Sequence, residues 1–205
     1  MINVLVCSTD VECLLKFISL SRHVEETECE MHRKASTIGK HLVNYGVKKI
    51  YNFNNDVNFK IDENGKPYLE GCDIQFNISH SDSCVVAAFD KKPVGVDVEN
   101  SNREIKNVNS LAKRIFTESE MLKFEKHGKS KQFLLRVWTQ KEACLKLIGT
   151  GIKQGLQSVE INGNAVMCNG KKYYLKTIDF NGYIISICSE KRISCKLNEL
   201  KTLNI

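Results

Sequence analysis

Apolar and polar positions alternate in short runs over much of this chain, and helical spacing interrupts them at a few places. Ile2-Asn-Val-Leu-Val-Cys7 opens the sequence as an apolar strand. Residues 11–20 read as a short helix, and residues 28–45 as a longer one carrying Arg33, Lys34 and Lys40, with Gly46 as its stop. Asp56-Val-Asn-Phe-Lys-Ile-Asp62 alternates strictly and is followed by Asn64-Gly65, so Lys66-Pro-Tyr-Leu69 is predicted to return antiparallel. A second hairpin is predicted from residues 84–89 through Asp90-Lys-Lys-Pro93 into residues 94–99. The polar stretch 100–107 reads as a linker that separates residues 1–100 from residues 101–205. Helices are predicted to open at residues 116–120 and to run over 131–148, where Gly149-Thr-Gly151 ends the second. Asn162-Gly163, Asn169-Gly170 and Asn181-Gly182 then punctuate β-rich runs, the pattern of an antiparallel meander. Each half pairs helices with antiparallel strands, an α+β pattern without a convincing sequence repeat.

Composition narrows the setting. With 205 residues, 42% of them hydrophobic and 26% charged, the chain can bury a substantial core as one large domain or two small ones. A net charge of +6 suggests an anionic partner without choosing among phosphate, nucleic acid and acidic protein. Nine cysteines are scattered with no Cys-x-x-Cys pair, and several sit among aliphatics, usage that fits reduced thiols in a cytoplasmic protein. No apolar run approaches membrane-spanning length and the first residues lack a basic n-region, so neither a membrane partner nor secretion is expected.

Chemistry concentrates at a few places. In Val94-Gly-Val-Asp-Val-Glu99 the alternation sets Asp97 and Glu99 on one face of a strand, roughly 6.6 Å apart along the backbone. Such a pair either holds a cation or is an ordinary solvated face. At helical period Trp138, Glu142 and Lys146 form one stripe with Lys141 beside it, which reads equally as a surface Glu-Lys pair next to a core tryptophan. Thr117 with Glu120 makes a capping box, with Phe116 placed to staple against Met121, which explains that segment by structure alone. Asn77-Ile-Ser-His-Ser81 places Ser79 and His80 at a turn-like junction, open to phosphate binding or to a plain structural role. Lys66 is a further cation, beside Pro67.

The order Gly-Lys-Pro-Tyr, Asn-Ile-Ser-His-Ser, Gly-Val-Asp-Val-Glu, Phe-Thr-Glu-Ser-Glu and Trp-Thr-Gln-Lys-Glu-Ala-Cys-Leu-Lys resembles the 4′-phosphopantetheinyl transferase superfamily, in its surfactin-synthetase type. That resemblance implies two similar α+β halves related by a pseudo-twofold axis, with helices on antiparallel sheets and the active site between the halves. It implies transfer of the 4′-phosphopantetheine arm of coenzyme A to a serine of an apo acyl, peptidyl or aryl carrier protein, with release of adenosine 3′,5′-bisphosphate. Asp97, Glu99 and Glu142 are the implied ligands of Mg2+, or of Mn2+ in its place, and Glu142 the implied base. By the same resemblance Lys146 and His80 hold the diphosphate, Lys66 and Ser79 contact coenzyme A, and Arg33 or Lys34 meets the nucleotide 3′-phosphate. Trp138 is read as a packing anchor and Lys141 as reaching phosphate or solvent. A monomer is expected, since one chain supplies both halves of the site, and no nucleic-acid partner. The alternatives are another Mg2+-dependent nucleotide or phosphate-ester hydrolase, and a basic nucleic-acid-binding module. The carrier and its pathway, whether fatty-acid, polyketide or nonribosomal-peptide, are not legible in the sequence.

Overall fold

The computed structural model describes residues 1–7, 28–53, 57–150 and 155–200, with the backbone alone over residues 28–34. The helix expected at residues 11–20 lies outside them. In chain order the elements are β1 (Ile2–Cys7), α1 (Glu28–Tyr51), β2 (Asn58–Ile61), β3 (Pro67–Glu70), β4 (Gln75–Ser81), β5 (Cys84–Asp90) and β6 (Val94–Asn100). After them come α2 (Val108–Ile115), α3 (Glu118–Lys126), α4 (Lys131–Ile148), β7 (Val159–Asn162), β8 (Ala165–Cys168), β9 (Lys171–Phe180), β10 (Tyr183–Ser189) and β11 (Cys195–Glu199).

A first sheet has the strand order β11-β1-β5-β4, a second the order β6-β10-β9-β8-β7, and β2-β3 form a separate ribbon. The fold is α+β, as the pattern predicts. All pairs are antiparallel except β1 with β11, so the first sheet is mixed. The connection order recurs: β1 pairs with β5, which pairs with β4, as β6 pairs with β10, which pairs with β9, and a long helix follows the first strand each time.

Sequence reading fails at the second hairpin. Strands β5 and β6 do not pair; β5 turns back onto β4, with Ser81 opposite Cys84, while β6 enters the second sheet opposite β10. The reason lies in burial on both sides. Leu5, Cys7, Val85, Ala87 and Phe89 face a core beneath α1, whereas Val4, Val6, Val86 and Ala88 meet Val94, Val96, Val98, Ile185 and Ile187 between the sheets. A strand buried on both faces reads as a continuous apolar run, and such a run does not say which sheet its neighbour joins. The exchange of strands crosses the boundary at residue 100, because β6 pairs in the second sheet and β11 in the first.

Gly46 is no helix stop. Helix α1 continues to Tyr51, and Asn52 leaves it in the left-handed region with φ 54°. Gly46 is where α1 approaches the first sheet: a Cβ there would stand 2.5 Å from the Phe89 ring. The Asn64-Gly65 hairpin forms as predicted, with Asn58 opposite Glu70 and Ile61 opposite Pro67.

Candidate active site

Strand β6 and helix α4 lie so close that Gly95 has no room for a side chain. A Cβ built there would stand 1.9 Å from the Ala143 carbonyl oxygen and 2.7 Å from the Leu147 nitrogen. Glycine lets α4 seat on β6, and that seating brings Lys146 onto the face that carries Asp97. Val94, Val96 and Val98, which alternate with Gly95 and the two acids, point the other way, into the core between the sheets.

Strand β4 runs along the same edge of β6 without sharing a ladder with it. Instead Asn77 Oδ1 accepts from the Val96 N–H at 2.9 Å, Ser79 Oγ donates to Asp97 Oδ1 at 2.8 Å, and Ser81 Oγ reaches Glu99 Oε2 at 3.4 Å. Ser81 Oγ also accepts from the Asn100 N–H at 3.1 Å. Spacing by two puts Asn77, Ser79 and Ser81 on one face, so the side chains of β4 stitch the edges of the two sheets together. The segment Asn77-Ile-Ser-His-Ser81 stands out in the sequence, and the structure adds Asn77 and Ser81 to the contacts that Ser79 makes with β6.

Lys146 Nζ donates to Asp97 Oδ1 at 2.6 Å and to Ser79 Oγ at 2.7 Å. Glu142 lies one helical turn before it. Asp97 Oδ2 and Glu142 Oε1 are buried and have no hydrogen-bond partner among the described residues. Burial, and then the Asp97 charge, push the Glu142 carboxyl up to about 7, with Lys146 drawing it down and Glu99 raising it further. Glu99 is likewise raised, first by burial and then by Asp97, while Arg103 opposes the shift through an ion pair of 2.9 Å to Glu99 Oε2. Arg103 is a neighbour of the site that sequence reading missed.

The donor set suits a hard divalent cation: carboxylate oxygens, two of them without a hydrogen-bond partner among the described residues, with the Asp97 charge raising both Glu142 and Glu99. Among the described residues no three His, Cys, Asp or Glu side chains form a closed cluster, and Glu99 is engaged by Arg103. A cation here would thus complete its shell with oxygens from substrate and water.

Lys66 leaves the β2-β3 turn and donates to the Leu147 carbonyl at 3.4 Å, next to Lys146 in sequence. It lines a cavity of about 370 Å³ with Pro67, Tyr68, Phe76 and Leu147, and burial lowers its pKa. His80 stands on the opposite face of β4 from Ser79, the face whose Phe76 and Ile78 pack beneath α1. Arg33 and Lys34 fall on α1, but their side chains lie outside the described residues.

Lys141 corrects the sequence reading. Its side chain is fully buried, 2.6 Å from Glu120 Oε2, and Nζ donates to the carbonyls of Ile115 at 2.8 Å and Leu156 at 3.0 Å. It reaches neither phosphate nor solvent. Glu120 completes the predicted capping box with Thr117 and also accepts from the Ile161 N–H at 2.8 Å. The Thr117 helix start, the end of the Leu156 turn and strand β7 are thereby tied to α4, which fixes the helix that carries Glu142 and Lys146. Trp138 packs half-buried against the core of the second sheet, as an anchor should.

Residues 93–188 match the 4′-phosphopantetheinyl transferase superfamily model, and residues 10–92 match the 4′-phosphopantetheinyl transferase N-terminal model. The two matches meet just before β6. The chain is 33% identical over 165 residues to 4′-phosphopantetheinyl transferase gsp of Aneurinibacillus migulanus, covering 75% of this chain and 68% of that one. It is 29% identical over 178 residues to 4′-phosphopantetheinyl transferase Sfp of Bacillus subtilis (strain 168), covering 78% and 75%. A crystal structure of Thermotoga maritima holo-[acyl-carrier-protein] synthase superposes with a TM-score of 0.36 and 23% identity over 47% of this chain and 61% of that one. This chain belongs to the 4′-phosphopantetheinyl transferase superfamily.

Proposed function

We propose that this protein transfers the 4′-phosphopantetheine arm of coenzyme A to a serine hydroxyl of an apo carrier protein. The observation that carries the reading is the pairing of Lys146 with Asp97 beside two buried, unpartnered carboxylate oxygens, in a chain of this family. In the transfer the serine Oγ bonds to the phosphorus on the pantetheine side of the diphosphate. The P–O bond to the nucleotide breaks, and adenosine 3′,5′-bisphosphate leaves with the electron pair.

Asp97, Glu99 and Glu142 are assigned to Mg2+, or Mn2+, which when bound would neutralise the charge of the diphosphate oxygens. Glu142 is also assigned the serine proton, because its Oε1 is buried beside Asp97 with no hydrogen-bond partner among the described residues. Lys146 holds a diphosphate oxygen once it leaves Asp97, and Ser79 orients its ammonium. The cavity beside Lys66 supports the assignment of Lys66 to coenzyme A. His80 on the diphosphate, and Arg33 or Lys34 on the 3′-phosphate, remain assignments by resemblance. The exposed cations of α2 and α3, among them Lys113, Arg114, Lys123 and Lys126, suit a carrier with an acidic helix. We further assign the protein to the cytoplasm as a monomer; no helix among the described residues is long and apolar enough to cross a membrane. Family membership favours transfer over the hydrolase and nucleic-acid readings.

Incubation with coenzyme A, Mg2+ and a panel of apo carriers, read by carrier mass, tests this function. A carrier that gains the arm only with divalent metal is expected; a panel unchanged in mass overturns it.

A further inference from the structure

One groove among the described residues is lined from β9 of the second sheet by Leu175 and Thr177 as well as by Lys176, which stands on the face opposite Asp97. Its volume is about 680 Å³, and Asn162, Asn164, Tyr174, Lys176, Arg192 and Ile193 line it. Register fixes the separation. Lys176 is opposite Ile187, which is opposite Val96, whereas Asp97 is opposite Ser186 and Thr177. Residues opposite one another share a face, so Lys176 and Asp97 point to opposite sides of the sheet.

The charge around this groove is one-sided. No carboxylate lines it, and neither Lys176 nor Arg192 makes an ion pair among the described residues. Lys172 adds a third cation, lying over the Tyr174 ring at 5.6 Å from its centroid. Nearby, the Lys171 ammonium lowers the Glu190 carboxyl through its hydrogen bond and charge, with smaller contributions from Lys92 and Lys191. Asn162 and Asn164, whose side-chain amides are able to donate neutral hydrogen bonds, also line the groove. Unpaired cations beside amide donors in a groove of ligand size match a compact anion bearing more than one charge.

We propose that this groove is a second anion site, distinct from the coenzyme A site, that takes a small molecule bearing a diphosphate or triphosphate group. Lys176 and Arg192 supply the charge, and Asn162 and Asn164 the neutral hydrogen bonds. A nucleoside triphosphate and free pyrophosphate present the same chemistry.

Backbone amide NMR of the full chain, titrated separately with pyrophosphate, ATP and uncharged adenosine, tests the site. Pyrophosphate and ATP should both shift the amides of residues 162–164, 174–177 and 192–193, and adenosine should not. A stronger response to ATP would assign the groove to a nucleotide, and an equal one to the phosphate group alone. In the exposed double variant K176Q/R192Q the affinity read from these shifts should fall about a hundredfold, since each of the two charge-assisted contacts is worth about a factor of ten. Shifts around Lys66 and Lys146 should persist there. Shifts confined to the Lys66–Lys146 region, equal shifts with adenosine, or groove binding unchanged in the double variant would each overturn the proposal.

Discussion

Lys146 Nζ lies 2.6 Å from Asp97 Oδ1, so a cation from the second half's helix already occupies one oxygen of the acid that the proposed metal would share. The other oxygen, Oδ2, is buried without a partner among the described residues, as is Oε1 of Glu142. The two acids therefore differ in what they do for the fold. Asp97 has an ion pair, whereas Glu142 has none among the described residues and feels Lys146 only at a distance.

Glu142→Gln should abolish transfer and leave the metal-free protein as stable or more so, because it removes a buried charge that has no ion pair among the described residues. Asp97→Asn should also abolish transfer but lower the melting temperature, because it takes the carboxylate from Lys146 and Ser79. Both variants should lose stabilisation by Mg2+, which follows occupancy of the folded site. Melting curves with and without Mg2+ read all three outcomes, and a destabilised but active Glu142→Gln protein would remove Glu142 from the mechanism.

Stability should also depend on pH through Glu142. Its carboxyl is raised to about 7 in the folded protein from the ordinary 4.5 of a glutamate, so between these pH values the folded state binds the extra proton. The stability due to this group is thus fully present below 4.5 and is lost as pH rises through about 7. Denaturant unfolding without metal across that window should show a decline with rising pH that Glu142→Gln flattens. A decline identical in both proteins would assign the pH dependence to other groups.

Gly95→Ala tests the seating of α4. Its methyl would fall 1.9 Å from the Ala143 carbonyl oxygen, so the helix must move off β6. A loss of about 3 kcal/mol is expected. In whatever protein stays folded, transfer should fall because Glu142 and Lys146 are carried away from Asp97. Wild-type activity and stability together would contradict the close contact.

Lys141→Met should destabilise by about 3–5 kcal/mol, since it leaves Glu120 buried without its counter-charge. The affinity of the remaining folded protein for coenzyme A should be unchanged. Calorimetry of binding beside chemical denaturation separates this structural role from phosphate contact.

Much of the site was legible because its chemistry is local. The alternation that places Asp97 and Glu99 on one face, and the helical spacing of Glu142 and Lys146, survive into the structure with Lys146 on Asp97. What escaped is set by long-range packing. Whether Lys141 meets solvent depends on Glu120 and on carbonyls far along the chain, and no periodicity of α4 reveals them. Gly46 has the composition of a stop but the environment of a close approach to Phe89. The apolar runs of β5 and β6 fit one hairpin or two stacked sheets equally well, and only the partner strands β1 and β10 decide. The parallel addition of β11 to β1 joins the two ends of the chain, a pairing that local pattern does not encode.

The most direct test of the central claim is the mass of an apo carrier after incubation with coenzyme A and either the wild-type protein or Glu142→Gln, with and without Mg2+. The account predicts addition of the phosphopantetheine arm by the wild-type protein with Mg2+ alone, and none by folded Glu142→Gln under any condition. Modification that is independent of divalent metal, or that survives in Glu142→Gln, would contradict it.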